Sequence, residues 1–514
     1  MRRQIIVLGL DGYEPSVARQ LVADGRMPNL RALAGDSMQC RLDHGEAKRT
    51  GLAWEHVALG REPAAYGRLA AVDFDPSTYR VTQQGTKSRP FLADVNRRIV
   101  VFDAPYFDLA AAPNCMGLVS WGAHDAGIAS TCAPAGLAEE IAVRFGPYPA
   151  TKYIYGFVWQ NEERARAMAA ALVDAVERRS AIGQWLCTER LHDWDMALIV
   201  ISEFHSAIEA LWHGYDPAHP LHDLPSAEAA RAGIVGVYEA FDRMLGRYRE
   251  SMPEADLVIF SMHGMGANDS DVPTMLLLPE LLYRASFGSV LFESRPEWIA
   301  APDAVPMLSP SEAWDVAVKS CLRHRLPPDR EKLPLDWMPA TVYRRYWPAM
   351  EAFALPSYYD GRVRLNLAGR ERDGLVPVEA YGAKLDEICA LLGECRDPRT
   401  NQPVVRTITR PVAANPLKAG PSEADLVIVW QGAPLAFRHE RLGLIGPAPY
   451  RRTGGHTGGA GIAYFTAPEL PRCDIGTVSA FDMVPTLIDL LGAPKPSYIS
   501  GRSLFRMPAT APAA

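Results

Sequence analysis

The chain has 514 residues, of which 48% are hydrophobic and 22% are charged, and its formal net charge is −7 at pH 7. These values are typical of a globular protein with a large core. The negative charge gives no electrostatic attraction to nucleic acid or to an anionic membrane, so we expect neither as a partner. Composition does not indicate the oligomeric state.

The cysteine pattern and the N-terminus indicate the compartment. Eight cysteines are scattered along the chain without a C-x-x-C pair or the spacing of a disulfide framework, which is typical of a reducing environment. The first apolar stretch is short and runs into Asp11-Gly12-Tyr13-Glu14, unlike a signal peptide. No apolar run reaches the about 20 residues of a membrane span. We therefore expect a cytoplasmic protein.

The first predicted strand covers residues 4–10 and ends at Asp11-Gly12, before a helix that begins at Pro15. The segment lacks the G-x-G-x-x-G spacing of a dinucleotide loop, and the Asp11 carboxylate would repel a pyrophosphate. Two interpretations of Asp11 remain, a cation ligand at the end of a buried strand or a cap of the next helix.

Thr50 lies in the segment Lys48-Arg49-Thr50-Gly51-Leu52-Ala53-Trp54, just before a predicted helix. A hydroxyl at a helix N-terminus, beside two basic side chains, favours an anion. The alternative is that Thr50 only caps the helix.

His205 and Glu209 follow a strand predicted at residues 196–201, between helices predicted at 161–185 and 227–249. Residues four apart share one face of a helix, so both side chains could bind one metal ion. A surface ion pair is the alternative interpretation.

Residues 255–266 read ADLVIFSMHGMG. Their apolar half is typical of a strand buried on both faces of a parallel sheet. His263 follows it, at the carboxyl end where open α/β sheets bind their ligands. The alternative is a core histidine with its hydrogen bonds satisfied.

The alternation of strands and helices stops in residues 281–420, which are richer in proline and which we interpret as an inserted cap. A buried strand is predicted again at 426–430. His456 then lies in the segment T-G-G-H-T-G-G at 453–459, whose glycines let the backbone turn tightly.

The candidate residues suit one chemistry. Carboxylates and imidazoles around a hydroxyl nucleophile are what metal-assisted phosphoryl or sulfuryl transfer requires, since a cation lowers the pKa of the hydroxyl and neutralises the leaving oxygen. The residues with these groups are Asp11, Thr50, His205, Glu209, His263 and His456.

The order of the motifs resembles the alkaline phosphatase superfamily, in particular its type I phosphodiesterase/nucleotide pyrophosphatase branch. G-L-D-G at 9–12 and M-P-N-L at 27–30 are similar to the opening of that branch, and T-G-L-A-W at 50–54 resembles its nucleophile helix. S-M-H-G-M-G at 261–266 resembles its S-D-H-G-M-G segment, and G-G-H-T-G-G at 454–459 its closing histidine loop.

The resemblance implies a site for two metal ions, usually zinc, with Thr50 as the nucleophile. In the related pattern an Asp-x-x-x-His helix and the late histidine hold one ion; here this helix reads His205-x-x-x-Glu209, and the late histidine is His456. Glu203 is a further carboxylate that could replace either ligand of the helix.

The second ion would be held by Asp11, Thr50, His263 and the aspartate of S-D-H-G, which in this chain is Met262. A thioether is a poor ligand for Zn²⁺ and carries no charge. We therefore expect a divalent metal cofactor, zinc, bound as one or two ions with a weakened second site. Asp269 is a nearby carboxylate that could compensate.

The resemblance implies an alkaline-phosphatase-like α/β fold, with a mostly parallel sheet flanked by helices. We expect residues 1–280 and 421–508 to form a discontinuous core, residues 281–420 an inserted cap, and residues 509–514 a loose tail.

The implied function is metal-dependent hydrolysis of phosphodiester or pyrophosphate bonds through a phosphorylated threonine, on a small phosphorylated substrate. The alternative is a metal-poor relative that binds a phosphorylated or sulfated ligand without turnover. Sulfate-ester hydrolysis is disfavoured, because it needs a Cys or Ser nucleophile where Thr50 stands.

Overall fold

A computed structural model describes residues 3–83, 85, 88–122, 129–154, 158–300, 304–323, 335–411 and 415–506. The predicted tail at 509–514 lies outside the described residues. The strands, numbered along the chain, are β1 Ile5–Leu10, β2 Met38–Asp43, β3 Val72–Asp75, β4 Arg80–Gln83, β5 Ile99–Phe102, β6 Cys115–Val119, β7 Thr131–Ala133, β8 Met196–Ile201, β9 Asp256–His263, β10 Gly266–Ala267, β11 Ala352–Leu355, β12 Gly361–Leu365, β13 Val405–Thr409, β14 Leu426–Trp430, β15 Phe437–His439, β16 Gly443–Ile445, β17 Gly454–Gly455, β18 Ala460–Phe465 and β19 Asp474–Ser479.

The α-helices are α1 Pro15–Ala23, α2 Pro28–Gly35, α3 Ala53–Leu59, α4 Pro63–Tyr66, α5 Leu137–Phe145, α6 Glu162–Trp185, α7 Glu203–Tyr215, α8 Ala227–Ser251, α9 Leu278–Phe287, α10 Pro296–Ile299, α11 Trp314–Ser320, α12 Tyr381–Gly393 and α13 Met483–Leu490. Local chemistry sets where several of them begin. The side chain of Glu14 accepts a hydrogen bond from Ser16 N at the start of α1, and Asn161 caps α6 in the same way. None of the described helices has the combination of length and apolar composition needed to cross a membrane.

The central sheet has the order β19-β2-β18-β9-β1-β8-β5-β6-β7 in the described part of the chain. Strands β9, β1, β8, β5 and β6 are parallel neighbours, while β18 runs antiparallel to β9 and to β2. The expected α/β fold, a mostly parallel sheet flanked by helices, is confirmed.

Both faces of the sheet are buried, which explains the continuous apolar runs of its strands. Leu257 and Ile259 of β9 belong to a hydrophobic cluster with α6, α7 and α8 on one face. Val258, Phe260 and Met262 belong to a second cluster, with Trp54 of α3 and residues of α13, on the other face.

A second sheet, with the order β11-β12-β14-β13, is antiparallel throughout and lies mostly within the predicted cap. Residues 426–430 are predicted to belong to the core, but β14 pairs with β12 and β13. An apolar run indicates that a strand is buried and does not identify its partners. The chain returns to the central sheet only at β18, and the division into core and cap at 281 and 421 stays a prediction.

The glycine-rich segment at 453–459 packs closely against the end of β9. Gly264 N donates a hydrogen bond to Gly459 O at 3.0 Å, and β17 pairs with β10. A Cβ atom on Gly458 would overlap the backbone of Gly264 and Met265, whereas one on Gly459 would meet no atom within 4 Å. Gly458 is therefore needed for this packing, and Gly459 is not.

We expect Gly458→Ala to lower the free energy of unfolding by about 1–3 kcal/mol, because the added methyl group must displace backbone. Gly459→Ala is the matched control and should stay within about 0.5 kcal/mol of the parent. Urea unfolding of the three proteins measures the difference. Equal losses in the two variants would contradict the packing described here.

Candidate functional site

The site lies at the carboxyl ends of three adjacent parallel strands. Asp11 follows β1, helix α7 with His205 and Glu209 follows β8, and His263 is the last residue of β9. His456 reaches the same place from the glycine-rich segment, whose Thr453 N donates to Glu209 O at 3.1 Å. The sheet thus gathers residues that are far apart in sequence, as expected for this class of fold.

A glycine sets the distance between β1 and α7. Gly12 has φ +68°, a conformation that other residues rarely adopt, and a Cβ atom there would overlap the backbone of His205. Asp11 N also donates to Ile201 O at 3.0 Å. These contacts bring Asp11 Oδ2 to 3.6 Å from His205 Nδ1.

His205, Glu209 and His456 form a group that could hold a metal ion, with ligand atoms all within 4.8 Å of one another. His205 Nε2 lies 2.9 Å from His456 Nε2 and 3.1 Å from Glu209 Oε1, and the remaining pair is 4.0 Å apart. Ligand atoms about 2.1 Å from a tetrahedral zinc ion are roughly 3.4 Å apart, so the three separations bracket the required value. Two imidazoles and one carboxylate are also a set that zinc accepts.

Asp11 faces the other nitrogen of the His205 ring. Burial raises the pKa of the Asp11 carboxyl, and the nearby His205 and a hydrogen bond with Trp54 act against that rise. A carboxylate near the far nitrogen of a ligating histidine orients the ring. In this structure Asp11 is placed to orient His205, and it is not in the group of three.

Glu209 is held by a buried ion-pair network. The guanidinium of Arg452 contacts the Glu209 carboxylate, and its Nε and Nη2 donate to Asp271 at 2.8 and 2.9 Å. Arg451 donates to the same Asp271 at 3.0 Å. A metal ion at this group would therefore share the Glu209 carboxylate with an arginine.

His263 belongs to a row of buried histidines. Its ring lies 5.0 Å from that of His456 and stacks on His44 at 5.7 Å, and His44 Nε2 lies 3.0 Å from His56 Nδ1. Burial lowers the pKa of His263 to about 4 and that of His56 to about 3. His263 Nδ1 donates to Gly264 O at 3.0 Å, which leaves Nε2 with a free lone pair.

Thr50 ends a 3₁₀ turn, Gly45–Thr50, two residues ahead of the cap of α3. Its hydroxyl donates to Ala47 O at 2.8 Å and accepts from Leu52 N at 3.2 Å. The hydroxyl is thus bound locally rather than at the first turn of the helix. Thr50 also lines a cavity of about 680 Å³ whose far wall consists of β13 and β14.

Met262 lies where the related pattern has an aspartate, and it is 5% exposed. It packs within the apolar cluster that contains Leu52, Trp54 and Phe260. The position has become part of the core, and no carboxylate replaces it within the metal-ligand group of the described residues.

Glu203 is unsuited to replace His205 or Glu209 as a ligand. It is fully buried and accepts hydrogen bonds from Arg179 Nε and Nη2 at 2.9 and 2.8 Å, and Arg179 Nη1 pairs with Asp103 at 2.8 Å. Asp269 is half-buried and lies in the field of Arg49 and Arg406; burial raises its pKa to about 6. It is not in the group of three.

Sequence reasoning missed three residues of the site. His44 and His56 lie beyond the resembling motifs, and Tyr359 comes from the second sheet's β11–β12 connection. The Tyr359 ring centroid is 4.2 Å from that of His456, and a Cβ atom on Gly51 would lie 3.2 Å from Tyr359. No local pattern marks such a tyrosine, because its partners are distant in sequence.

Two variants, Glu203→Gln and Glu209→Gln, should show which of the two carboxylates stabilises the fold and which one binds the metal ion. Glu203→Gln should lower the free energy of unfolding by about 3 kcal/mol, because Arg179 loses a buried partner, and should keep the zinc affinity. Glu209→Gln should lower zinc affinity by at least about tenfold. Urea unfolding and zinc titration measure both effects, and loss of zinc from the Glu203 variant alone would identify Glu203 as the ligand.

The buried histidines predict acid sensitivity of the metal-free protein. An unfolded histidine binds a proton near pH 6.5, whereas His56 in the folded state does so only near pH 3. Stability is therefore complete above pH 6.5 and falls by about 1.4 kcal/mol per pH unit below it for this residue alone. Urea unfolding at pH 7 and pH 5 should show a smaller loss in His56→Gln than in the exposed-site control His192→Gln; equal losses would contradict this.

No family model and no curated protein matches the sequence. Among solved structures, the chain is similar to phosphonoacetate hydrolase from Sinorhizobium meliloti, with TM-score 0.49 and 16% identity over 96% of both chains. It is also similar to human and murine ectonucleotide pyrophosphatase/phosphodiesterase 5, with TM-scores of 0.47 and 0.46 and 10% identity over 96% of both chains.

Proposed function

We propose that the protein is a metal-dependent hydrolase of phosphodiester or pyrophosphate bonds that uses Thr50 as its nucleophile. The observation that carries the proposal is the group His205, Glu209 and His456, whose separations suit one zinc ion, at the same sheet edge as Asp11 and His263. A divalent ion bound there would supply Lewis-acid stabilisation and lower the pKa of a nearby hydroxyl.

Thr50 would attack phosphorus through Oγ1. The hydroxyl proton leaves Oγ1 as the new O–P bond forms and the bond to the leaving oxygen breaks, and the leaving oxygen takes up a proton. Water later hydrolyses the threonine ester, which releases phosphate or its monoester and returns a proton to Oγ1. Leu52 N–H points at Oγ1 from 3.2 Å and can stabilise negative charge on it. The hydrogen bond that the Thr50 hydroxyl donates to Ala47 O would hold this hydroxyl in place until the substrate binds.

The remaining residues would orient the reacting groups. Asp11 holds the His205 ring, and Arg452 holds the Glu209 carboxylate. His263 presents an unprotonated Nε2, because its Nδ1 hydrogen is bound to Gly264 O. These contacts fix the site before substrate binds, which lowers the cost of organising it during the reaction.

The cavity beside Thr50 is the proposed place for the organic part of a small phosphorylated substrate. Its volume of about 680 Å³ lies in the range of small-molecule sites. Val427, Val429 and Phe481 supply apolar wall. The charged part of the lining is mixed, with the arginines Arg49, Arg362 and Arg406 beside the carboxylates Glu46, Glu62, Asp360 and Glu423.

We also propose a cytoplasmic location. All eight cysteines are free, and five of them are buried. A chain of this size without disulfides is suited to a reducing compartment.

A second function is favoured by Met262. Because that residue belongs to the apolar cluster, a thioether stands where the related pattern has one of the two carboxylates of the second ion, and Asp11 is the other. A metal-poor protein that binds a phosphorylated or sulfated ligand at the same site, without turnover, is therefore the alternative.

The test combines metal analysis with turnover of bis(p-nitrophenyl) phosphate. We expect bound zinc in the parent, loss of zinc in His456→Ala, and loss of at least about 10³-fold in kcat in Thr50→Ala because the nucleophile is gone. Thr188→Ala is the control, since the Thr188 hydroxyl also donates to a backbone carbonyl, at 2.9 Å, on an exposed helix end.

Unchanged turnover in Thr50→Ala would refute the threonine mechanism. A parent protein that binds phosphate, but that neither binds zinc nor turns over any phosphoester, would favour the metal-poor alternative.

A further inference from the structure

The residues around Met262 do not fit a second metal ion. Met262 is buried and belongs to the apolar cluster that also contains Leu52, Trp54 and Phe260, so a neutral thioether stands in place of a carboxylate. Asp11 faces His205 Nδ1 at 3.6 Å. A phosphoryl group beside Thr50 would thus lack one of the positive charges that its oxygens need.

A lysine lies close to the nucleophile turn and to the residues that follow Met262. Lys48 is in the same 3₁₀ turn as Thr50, two residues before it. Its Nζ donates to Gly458 O at 2.9 Å, and Gly458 packs on the backbone of Gly264, next to His263. The ammonium group is therefore located between the nucleophile turn and the two segments that hold His263 and His456.

The ammonium group forms no ion pair among the described residues. Burial lowers the pKa of Lys48, and the carboxylates of Glu46, Asp43 and Asp269 are near enough to counter part of that fall. The bond from the ammonium group to Gly458 O uses one of three N–H donors, and no described carboxylate is ion-paired with it. The neighbouring Arg49, by contrast, pairs with Glu46 at 2.9 Å. Lys48 is also half-buried, and a partly desolvated cation gains most from a bound anion.

We propose that Lys48 supplies the positive charge that a second metal ion would supply, by donating hydrogen bonds to a nonbridging oxygen of the phosphoryl group beside Thr50. The inference rests on the proposed function, and it makes the protein a one-metal enzyme. A lysine suits this role as a compact point charge with rotatable donors.

The test uses three variants of the full chain. Lys48→Met removes the charge at similar size, and Lys48→Arg keeps it. Lys495→Ala is the matched control, because Lys495 Nζ donates to a backbone carbonyl, Gly501 O, at the same 2.9 Å but on an exposed surface. Zinc per chain, affinity for inorganic phosphate by calorimetry, and turnover of bis(p-nitrophenyl) phosphate are measured for each.

We expect one zinc per chain in the parent and in all three variants. Lys48→Met should bind phosphate about tenfold to hundredfold more weakly and lose about 10²-fold in kcat. Lys48→Arg should recover most of the phosphate affinity, and Lys495→Ala should match the parent.

Two zinc ions per parent chain, or phosphate affinity in Lys48→Met equal to that in Lys495→Ala, would overturn the inference. Failure of the proposed function has a different signature. In that case Thr50→Ala would leave turnover unchanged, or the parent would show none, while the phosphate affinities still report on Lys48.

Discussion

The close approach of helix α7 to the end of strand β1 determines the geometry of the whole site. Gly12 allows it, because a side chain there would overlap the backbone of His205. The approach aligns Asp11 with one nitrogen of His205 and turns the other toward Glu209 and His456. His205 and Glu209 therefore take their positions from a core helix that packs against a central strand, whereas His456 comes from the glycine-rich segment.

Charge balance is the second constraint on the site. Arg452 contacts both Glu209 and Asp271, Arg451 pairs with the same Asp271, and Arg179 lies between Glu203 and Asp103. Each buried carboxylate near the proposed metal therefore already has a partner in the protein. Removing one partner from a buried ion pair lowers the free energy of unfolding strongly, because the remaining charge is left buried without a partner. In both networks the arginine therefore pairs with carboxylates through more than one of its nitrogen atoms.

The sequence was sufficient to predict the α/β class and the strands that carry the site. The strands predicted at residues 196–201 and 4–10 match β8 and, to within one residue, β1, because a short, continuous apolar run is typical of a strand buried on both faces of a sheet. It was also sufficient for the pairing of His205 with Glu209, which depends only on helical spacing. Their grouping with His456 was inferred from motif order, and the structure brings the three together.

Other features depend on contacts that no local pattern encodes. The apolar sequence of β14 predicts a strand of the central sheet, but β14 pairs with β12 and β13 in the second sheet. The sequence predicts Glu203 as an additional metal ligand, and only the fold shows that its carboxylate is hydrogen-bonded to Arg179 of α6. Tyr359 and His44 reach the site from segments without a recognisable motif, so their positions follow from tertiary packing alone.

The Arg452–Glu209 contact has a consequence for any ion that binds at this group. The Arg452 guanidinium already contacts the Glu209 carboxylate and also donates to Asp271 at 2.8 Å. A cation at Glu209 would therefore lie beside a buried positive charge, so that its binding and the Arg452–Asp271 pair would be coupled.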